Sequence, residues 1–149
     1  MKIGVISDTH GLIRPQALQA LRGSELILHA GDIGAPAILE QLETIAPVTA
    51  IRGNNDTDAW AKRIPERIDL EVEGVSIHML HNVKEFDGEP AAHVIIAGHS
   101  HRPLVERREG VLYLNPGSAG PRRFKLPISV ASMTCSDGKV RARIIELAV

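Results

Sequence analysis

Flat rings are almost missing from this sequence: two Phe, one Trp and one Tyr make up 3% of its 149 residues. A chain so poor in aromatics has no platform on which to stack successive bases, which argues against a single-strand nucleic-acid binder. Cysteine is scarcer still. Cys135 is the one thiol, so an internal disulfide is ruled out. Its place in the strand-like run Ser129 to Cys135 reads as a buried spectator, and a reducing compartment is expected. No apolar stretch approaches the roughly 18 residues needed to span a bilayer. The opening run Ile3 to Ile6 is too brief for a signal-peptide core, so a cytoplasmic protein with no membrane partner is expected. Neither a P-loop nor a Rossmann glycine fingerprint occurs, and nucleotide-cofactor enzymes drop out.

What is present is ordinary in bulk. A composition of 44% hydrophobic and 23% charged residues with net charge −1 is that of a globular protein. The length fits one domain, 1–149, able to bury about two-thirds of its unfolded surface. Charge is uneven along the chain: residues 1–100 carry 8 basic and 14 acidic groups, residues 101–149 carry 9 and 4. The basic third, with Arg107, Arg108, Arg141 and Arg143, reads as a solvated sheet face in preference to a nucleic-acid footprint. Homo-oligomerisation is left open.

Apolar periodicity divides the chain into two halves. Lys2 to Ser7, Glu25 to His29 and Val48 to Arg52 read as strands. Pro15 to Arg22 and Pro36 to Ile45 read as helices, each opening on Pro, with Ile38, Leu39, Leu42 and Ile45 at helical spacing. This βαβαβ half implies a parallel sheet covered on both faces. The second half reads as hairpins: Arg67 to Glu73 with Val75 to Leu80, Arg102 to Arg108 with Val111 to Leu114, and Ile128 to Cys135 with Lys139 to Glu146. His93 to Ala97 is a strand between the first two, and the whole suggests α/β architecture with mixed sheets.

The residues that carry chemistry come just after these strands. Asp8 and His10 follow the first, Asp32 the second, Asn54 the third, His81 the strand ending at Leu80, and His99 and His101 the strand ending at Ala97. In open α/β sheets ligands bind beyond the carboxyl ends of strands, so these groups can converge. Each segment alone has a plain alternative: Asp8-Thr9-His10 and Gly31-Asp32 as turns or caps, Gly53-Asn54-Asn55-Asp56 as a polar turn. Gly98-His99-Ser100-His101 is harder to explain without a metal. Oxygen and imidazole donors with no thiolate suit Mn, Fe, Zn, Ni or Mg. A bridging carboxylate such as Asp32 can hold two cations about 3.5–4 Å apart, the usual device for phosphate-ester hydrolysis. Asn54 as a neutral ligand limits the negative charge that an anionic substrate must meet. His78, inside its strand, is assigned to structure, as are His29 and His93, with His29 also a candidate support near Asp32.

The series from Met1-Lys2-Ile3-Gly4-Val5-Ile6-Ser7-Asp8-Thr9-His10-Gly11 to Asn115-Pro116-Gly117-Ser118 and Pro121-Arg122 resembles the calcineurin-like metallophosphoesterases, and within them the small bacterial and archaeal phosphodiesterases. The resemblance implies a four-layer α/β/β/α sandwich. It also implies one cation on Asp8, His10, Asp32 and His101, and a second on Asp32, Asn54, His81 and His99, with Mn2+ favoured. A water or hydroxide bridging the metals would be the nucleophile, and a small phosphodiester the substrate. Asn55 and Arg122 are the candidate substrate contacts. Two departures stand out. The wider superfamily has His where this chain has Asn55, which has no acidic proton to give a leaving group. The family's usual His-Gly-His is here His81-Asn82-Val83. Two other classes compete with this reading: a non-catalytic scaffold of the same fold, which typically loses ligands, and an amide hydrolase, which pairs two His where this chain has Asp8 and His10.

Overall fold

Proline marks where the first two helices begin. In the computed structural model, which describes residues 1–149, α1 (Pro15–Leu21) and α2 (Pro36–Glu43) both open on Pro, where a missing N–H loses no helical bond. Each lays a short apolar stripe inward, Ala17 and Leu21 from α1, Ile38 and Leu42 from α2. They are the crossovers that make β1 (Lys2–Ile6), β2 (Leu26–His29) and β3 (Val48–Ala50) parallel. β9 (Ser129–Ser136) runs antiparallel on the other side of β1, and β10 (Lys139–Glu146) closes the order β10-β9-β1-β2-β3.

The second sheet has the order β4-β5-β6-β8-β7, from β4 (Arg67–Val72), β5 (Val75–Leu80), β6 (Val94–Ile96), β7 (Leu104–Arg108) and β8 (Val111–Asn115). Its middle strands β5, β6 and β8 are parallel, and the two edges are hairpin partners. Three two-residue turns, Glu73-Gly74, Glu109-Gly110 and Asp137-Gly138, have both residues at positive φ, the conformation that matches strand twist.

The main core lies between the sheets, a cluster of 17 buried residues including Ile3, Val5, Leu28, Met79, Ile96, Leu114 and Cys135. A second, of 10, lies between the first sheet and its helices. On the outer face of the second sheet the buried apolar side chains are Leu80, Ile95 and Ala97, under Phe86, Ala92 and their neighbours, with the His78 ring buried against Phe86 beside them. The fourth layer is therefore thin, a loop with one 3-10 turn at Val83–Glu85 where a helix would otherwise lie.

The strand boundaries differ from the sequence reading by a residue or two. β6 begins at Val94, so His93 is outside it, exposed, its Nδ1 accepting the Ser76 N–H at 2.9 Å. β7 begins after Pro103, which has no N–H for a ladder. A 3-10 turn at Ala59–Arg63 is too short for apolar periodicity to disclose, yet Trp60 packs from it onto the helix-side core. No helix is long and apolar enough to cross a membrane.

Candidate metal centre

The carboxyl ends of β1, β2 and β3 meet those of β5 and β6 at one edge of the sandwich. The join is direct: the His99 N–H donates to Asp8 Oδ2 at 3.1 Å, and His81 Nδ1 to the Ala30 carbonyl at 2.7 Å. Here the chain collects two groups of metal-ligating side chains. Asp8, His10 and His101 form one and Asp32, His81 and His99 the other, with donor atoms in each group within 4.8 Å of one another. The groups are themselves adjacent: His10 Nε2 lies 3.6 Å from Asp32 Oδ2, and His81 Nε2 lies 3.7 Å from Asp8 Oδ1. Six of the seven ligands inferred from sequence thus meet. The seventh, Asn54, lines a cavity of about 390 Å³ together with His81 and His99.

Backbone geometry at these positions is unusual. Asp8, His10, Asp32, His99 and His101 all have positive φ, between 46° and 69°. Non-glycine residues adopt this region in only a few per cent of cases, and such strain concentrates at functional sites. Glycines beside them leave no room for a Cβ. One on Gly53 would stand 2.2 Å from Asp32 Oδ1, and one on Gly98 2.7 Å from Asp8 Oδ2.

Hydrogen bonds aim the ligands. Asp8, fully buried, accepts from Ser7 Oγ at 2.7 Å and from the His99 N–H at 3.1 Å, both on Oδ2, leaving Oδ1 with no partner. His81 Nδ1 donates to the Ala30 carbonyl at 2.7 Å, so in the neutral ring that can ligate a metal the lone pair is on Nε2, which faces the carboxylates. That Nε2 is also buried without a hydrogen-bond partner, as is His10 Nε2. A buried polar atom left unpaired costs about 1–3 kcal/mol. Three such atoms turned toward one another, with the Asp32 carboxylate between, fit a cation donor set.

Charge is tuned within the cluster. Burial raises the Asp8 carboxyl above its usual range, against the opposing pull of His81. Burial would also raise Asp32, but the close His81 imidazole and the Asn55 N–H outweigh it and hold that carboxyl at about 2. His81 is pushed up, because Asp32 and the Ala30 carbonyl overcome its burial. His101 is lowered to about 4 by burial, then by the charge of Arg123.

The two candidate substrate contacts are placed differently from each other. Asn55 grips Asp32, its N–H to Oδ1 at 2.9 Å and its Nδ2 to Oδ2 at 3.3 Å, so its side chain holds a ligand. Arg122 is exposed and donates to the Val149 carbonyl at 3.4 Å, at the mouth of a second cavity that His10 and His101 also line. His29 is fully buried: Nδ1 accepts the Gly31 N–H at 3.1 Å, so Nε2 donates to Thr9 Oγ1 at 3.0 Å, which donates onward to the Ile33 carbonyl. Burial lowers its pKa to about 3. This neutral ring ties the Asp8 and Asp32 loops together. His78 is buried against Asp69 at 2.8 Å and has a structural role.

Sequence reasoning missed several supports. Asp56 accepts from the N–H groups of Ile33, Gly34 and Gly53 at 3.0, 3.0 and 2.9 Å, pinning the Asp32 and Asn54 loops to each other. Its only signal was a third polar residue in a run already readable as a turn. Asn115 Nδ2 donates to the Gly98 carbonyl at 2.9 Å, and its Oδ1 accepts the Gly117 N–H, fixing the loop of His99 and His101.

Comparison with known proteins places the chain in a family and the fold among solved structures. The family model of the calcineurin-like phosphoesterase superfamily domain matches residues 1–138. A probable metallophosphoesterase of Methanothermobacter thermautotrophicus is 38% identical over 98% of this chain and 92% of its own length. Among solved structures, an archaeal phosphodiesterase superposes with TM-score 0.79 at 24% identity, covering 97% of this chain and all of its own. Vps29 of Entamoeba histolytica, solved with zinc, gives TM-score 0.77 at 20% identity over 98% and 99%. These two likenesses concern the fold.

Proposed function

The chain belongs to the calcineurin-like phosphoesterase superfamily, and from that premise we propose that it is a metal-dependent phosphodiesterase of the cytoplasm, using two divalent cations with Mn2+ favoured. The observation that carries this reading is the set of buried, unpartnered atoms Asp8 Oδ1, His10 Nε2 and His81 Nε2 around the Asp32 carboxylate. Asp8, His10, Asp32 and His101 would hold one ion, and Asp32, Asn54, His81 and His99 the other. When bound, the ions would supply activation of water and neutralisation of charge on the phosphoryl group. The protein's own part is to orient the donors: Asn55 and Asp56 hold the Asp32 loop, Ser7 turns Asp8, and the Ala30 carbonyl sets the His81 tautomer.

A diester is favoured over a monoester because room exists on both sides of the ligand cluster. A cavity of about 390 Å³ opens beyond His81 and His99, toward Arg52 and Arg67, and another of about 480 Å³ opens beyond His10 and His101. A phosphorus between them has space for an ester group on each side. A metal-free scaffold is disfavoured by magnitude: without an ion, three orphaned polar atoms would forfeit about 3–9 kcal/mol against a total stability of about 5–15 kcal/mol.

Metal analysis of the purified protein, with Mn2+-stimulated turnover of bis(p-nitrophenyl) phosphate compared with p-nitrophenyl phosphate, tests the reading. Two equivalents of metal, a preference for the diester, and loss of both in Asp32→Ala and His99→Ala are expected. No metal and no turnover, unchanged in those variants, would sink it.

A further inference from the structure

We propose that residues 121–125 form the ester-selecting lip of the site, where Arg123 meets the anionic phosphate and Phe124 packs on a flat ring carried by one ester group. The inference rests on the phosphodiesterase reading and narrows its substrate class to ring-bearing phosphodiesters, such as a nucleoside ester.

Phe124 is anomalous twice over. It is 92% exposed, whereas the other exposed large apolar side chains lie between 37% and 44%. The other phenylalanine, Phe86, packs under the second sheet in the ordinary way. Phe124 is also left-handed, with φ 52°. Nine non-glycine residues have positive φ: five are candidate metal ligands, Glu73, Glu109 and Asp137 turn hairpins, and the ninth is Phe124. It sits at the first corner of a turn closed by the Leu126 N–H on the Arg123 carbonyl at 3.1 Å, where glycine is the default for that conformation. A bulky ring held out in water on strained backbone has the marks of a contact residue.

The loop is anchored at its root and faces the ligands. Ala119 N–H donates to the Ser7 carbonyl at 3.1 Å, beside Asp8, and Arg14 Nη2 donates to the Gly120 carbonyl at 3.2 Å. Phe124, Arg122 and Arg123 share a cavity of about 480 Å³ with His10 and His101. Arg122 turns its guanidinium to the Val149 carbonyl, while Arg123 lines the cavity wall that His10 and His101 share. A cation next to the ligands and a free ring beyond it match a phosphate and the flat group one ester arm carries. One ring cannot track a polynucleotide, but it suffices for one base.

Two diesters with the same leaving group isolate this contact: thymidine 5′-(p-nitrophenyl phosphate) and methyl p-nitrophenyl phosphate. With Mn2+-loaded protein, Phe124→Ala should lower the thymidine-to-methyl ratio of kcat/KM by about 5- to 100-fold, through KM, as loss of one stacked ring predicts. Phe124→Tyr should restore the ratio and Phe124→Leu should not. Arg123→Ala should raise KM for both substrates. Phenyl p-nitrophenyl phosphate separates a ring esterified directly from one carried on a sugar. Calorimetric binding of thymidine 5′-monophosphate and methyl phosphate provides a second readout, with the same loss of discrimination expected. An unchanged ratio in Phe124→Ala, with both diesters turned over, overturns the lip and leaves the phosphodiesterase reading standing. If the wild type turns over neither diester, that reading fails, and binding of thymidine 5′-monophosphate undiminished in Phe124→Ala then overturns the lip as well.

Discussion

Gly53→Ala places a methyl group where the structure has no space for one, and the consequence can be worked through. The new Cβ would stand 2.2 Å from Asp32 Oδ1 and 2.4 Å from the Asp32 backbone nitrogen, where ordinary contact begins near 3.4 Å. Rotating the carboxylate relieves only the first clash, so the Asp32 loop must retreat by about 1 Å. A displacement of that size at a reacting centre costs on the order of 100-fold in rate. The shift also pulls Asp32 from its two Asn55 hydrogen bonds, at 2.9 and 3.3 Å, and losing such support weakens metal binding by about 10- to 100-fold. Gly53 does not have positive φ, so the backbone itself accepts alanine. Gly4→Ala is the comparison: its Cβ would meet Leu21 Cδ2 at 2.6 Å and Ser24 Oγ at 2.8 Å, away from the ligands. Overpacking there should lower stability by about 1–3 kcal/mol with metal affinity retained. Calorimetric Mn2+ titration, diester turnover and thermal melting of the two variants make the measurement. Wild-type affinity and turnover in a folded Gly53→Ala protein would refute the claim that Asp32 is held by this close packing.

Two further outcomes follow from buried groups. Asp56→Ala leaves three N–H groups without their acceptor and should destabilise the protein by about 3–5 kcal/mol by denaturant unfolding, with Asp56→Asn recovering part; a loss under 1 kcal/mol would remove its role as the pin between loops. For His29, the folded pKa of about 3 lies below the ordinary histidine value of 6.5, so between these values the unfolded chain binds the extra proton. Stability from this ring is therefore full above about 6.5 and falls on acidification, by at most ~1.4 kcal/mol per pH unit. His101 is shifted in the same direction and His81 in the opposite one, so the test is the difference in slope between the metal-free wild type and His29→Gln between pH 6.5 and 4. Equal slopes would count against a neutral buried His29.

The candidate ligands were legible because each follows an apolar run, and the end of a strand in a parallel sheet is a predictable place. Asp8, Asp32 and His81 needed only that rule and the chemistry of their donors. Asn55 and Asp56 were not legible in the same way. Both stand in a polar turn, and nothing local distinguishes a side chain that reaches the substrate from one that bonds to a loop 23 residues away. Arg122 and Arg123 pose the same difficulty as neighbours of identical chemistry on one cavity wall, separated by the bond that Arg122 makes to the distant Val149 carbonyl. The thin fourth layer was hidden for another reason. Residues 81–93 contain no helical periodicity, so the family resemblance alone suggested a covering helix there.

The amino-acid order alone determined the strand and helix types, the hairpin turns, the donor set and its lack of thiolate, because these depend on local periodicity and side-chain chemistry. The tertiary structure decided the rest: which imidazole nitrogen faces the carboxylates, which asparagine holds Asp32, and that five ligands and Phe124 take left-handed backbone. Those features arise from hydrogen bonds and close packing between segments far apart in the chain, and no local pattern encodes a distance between them.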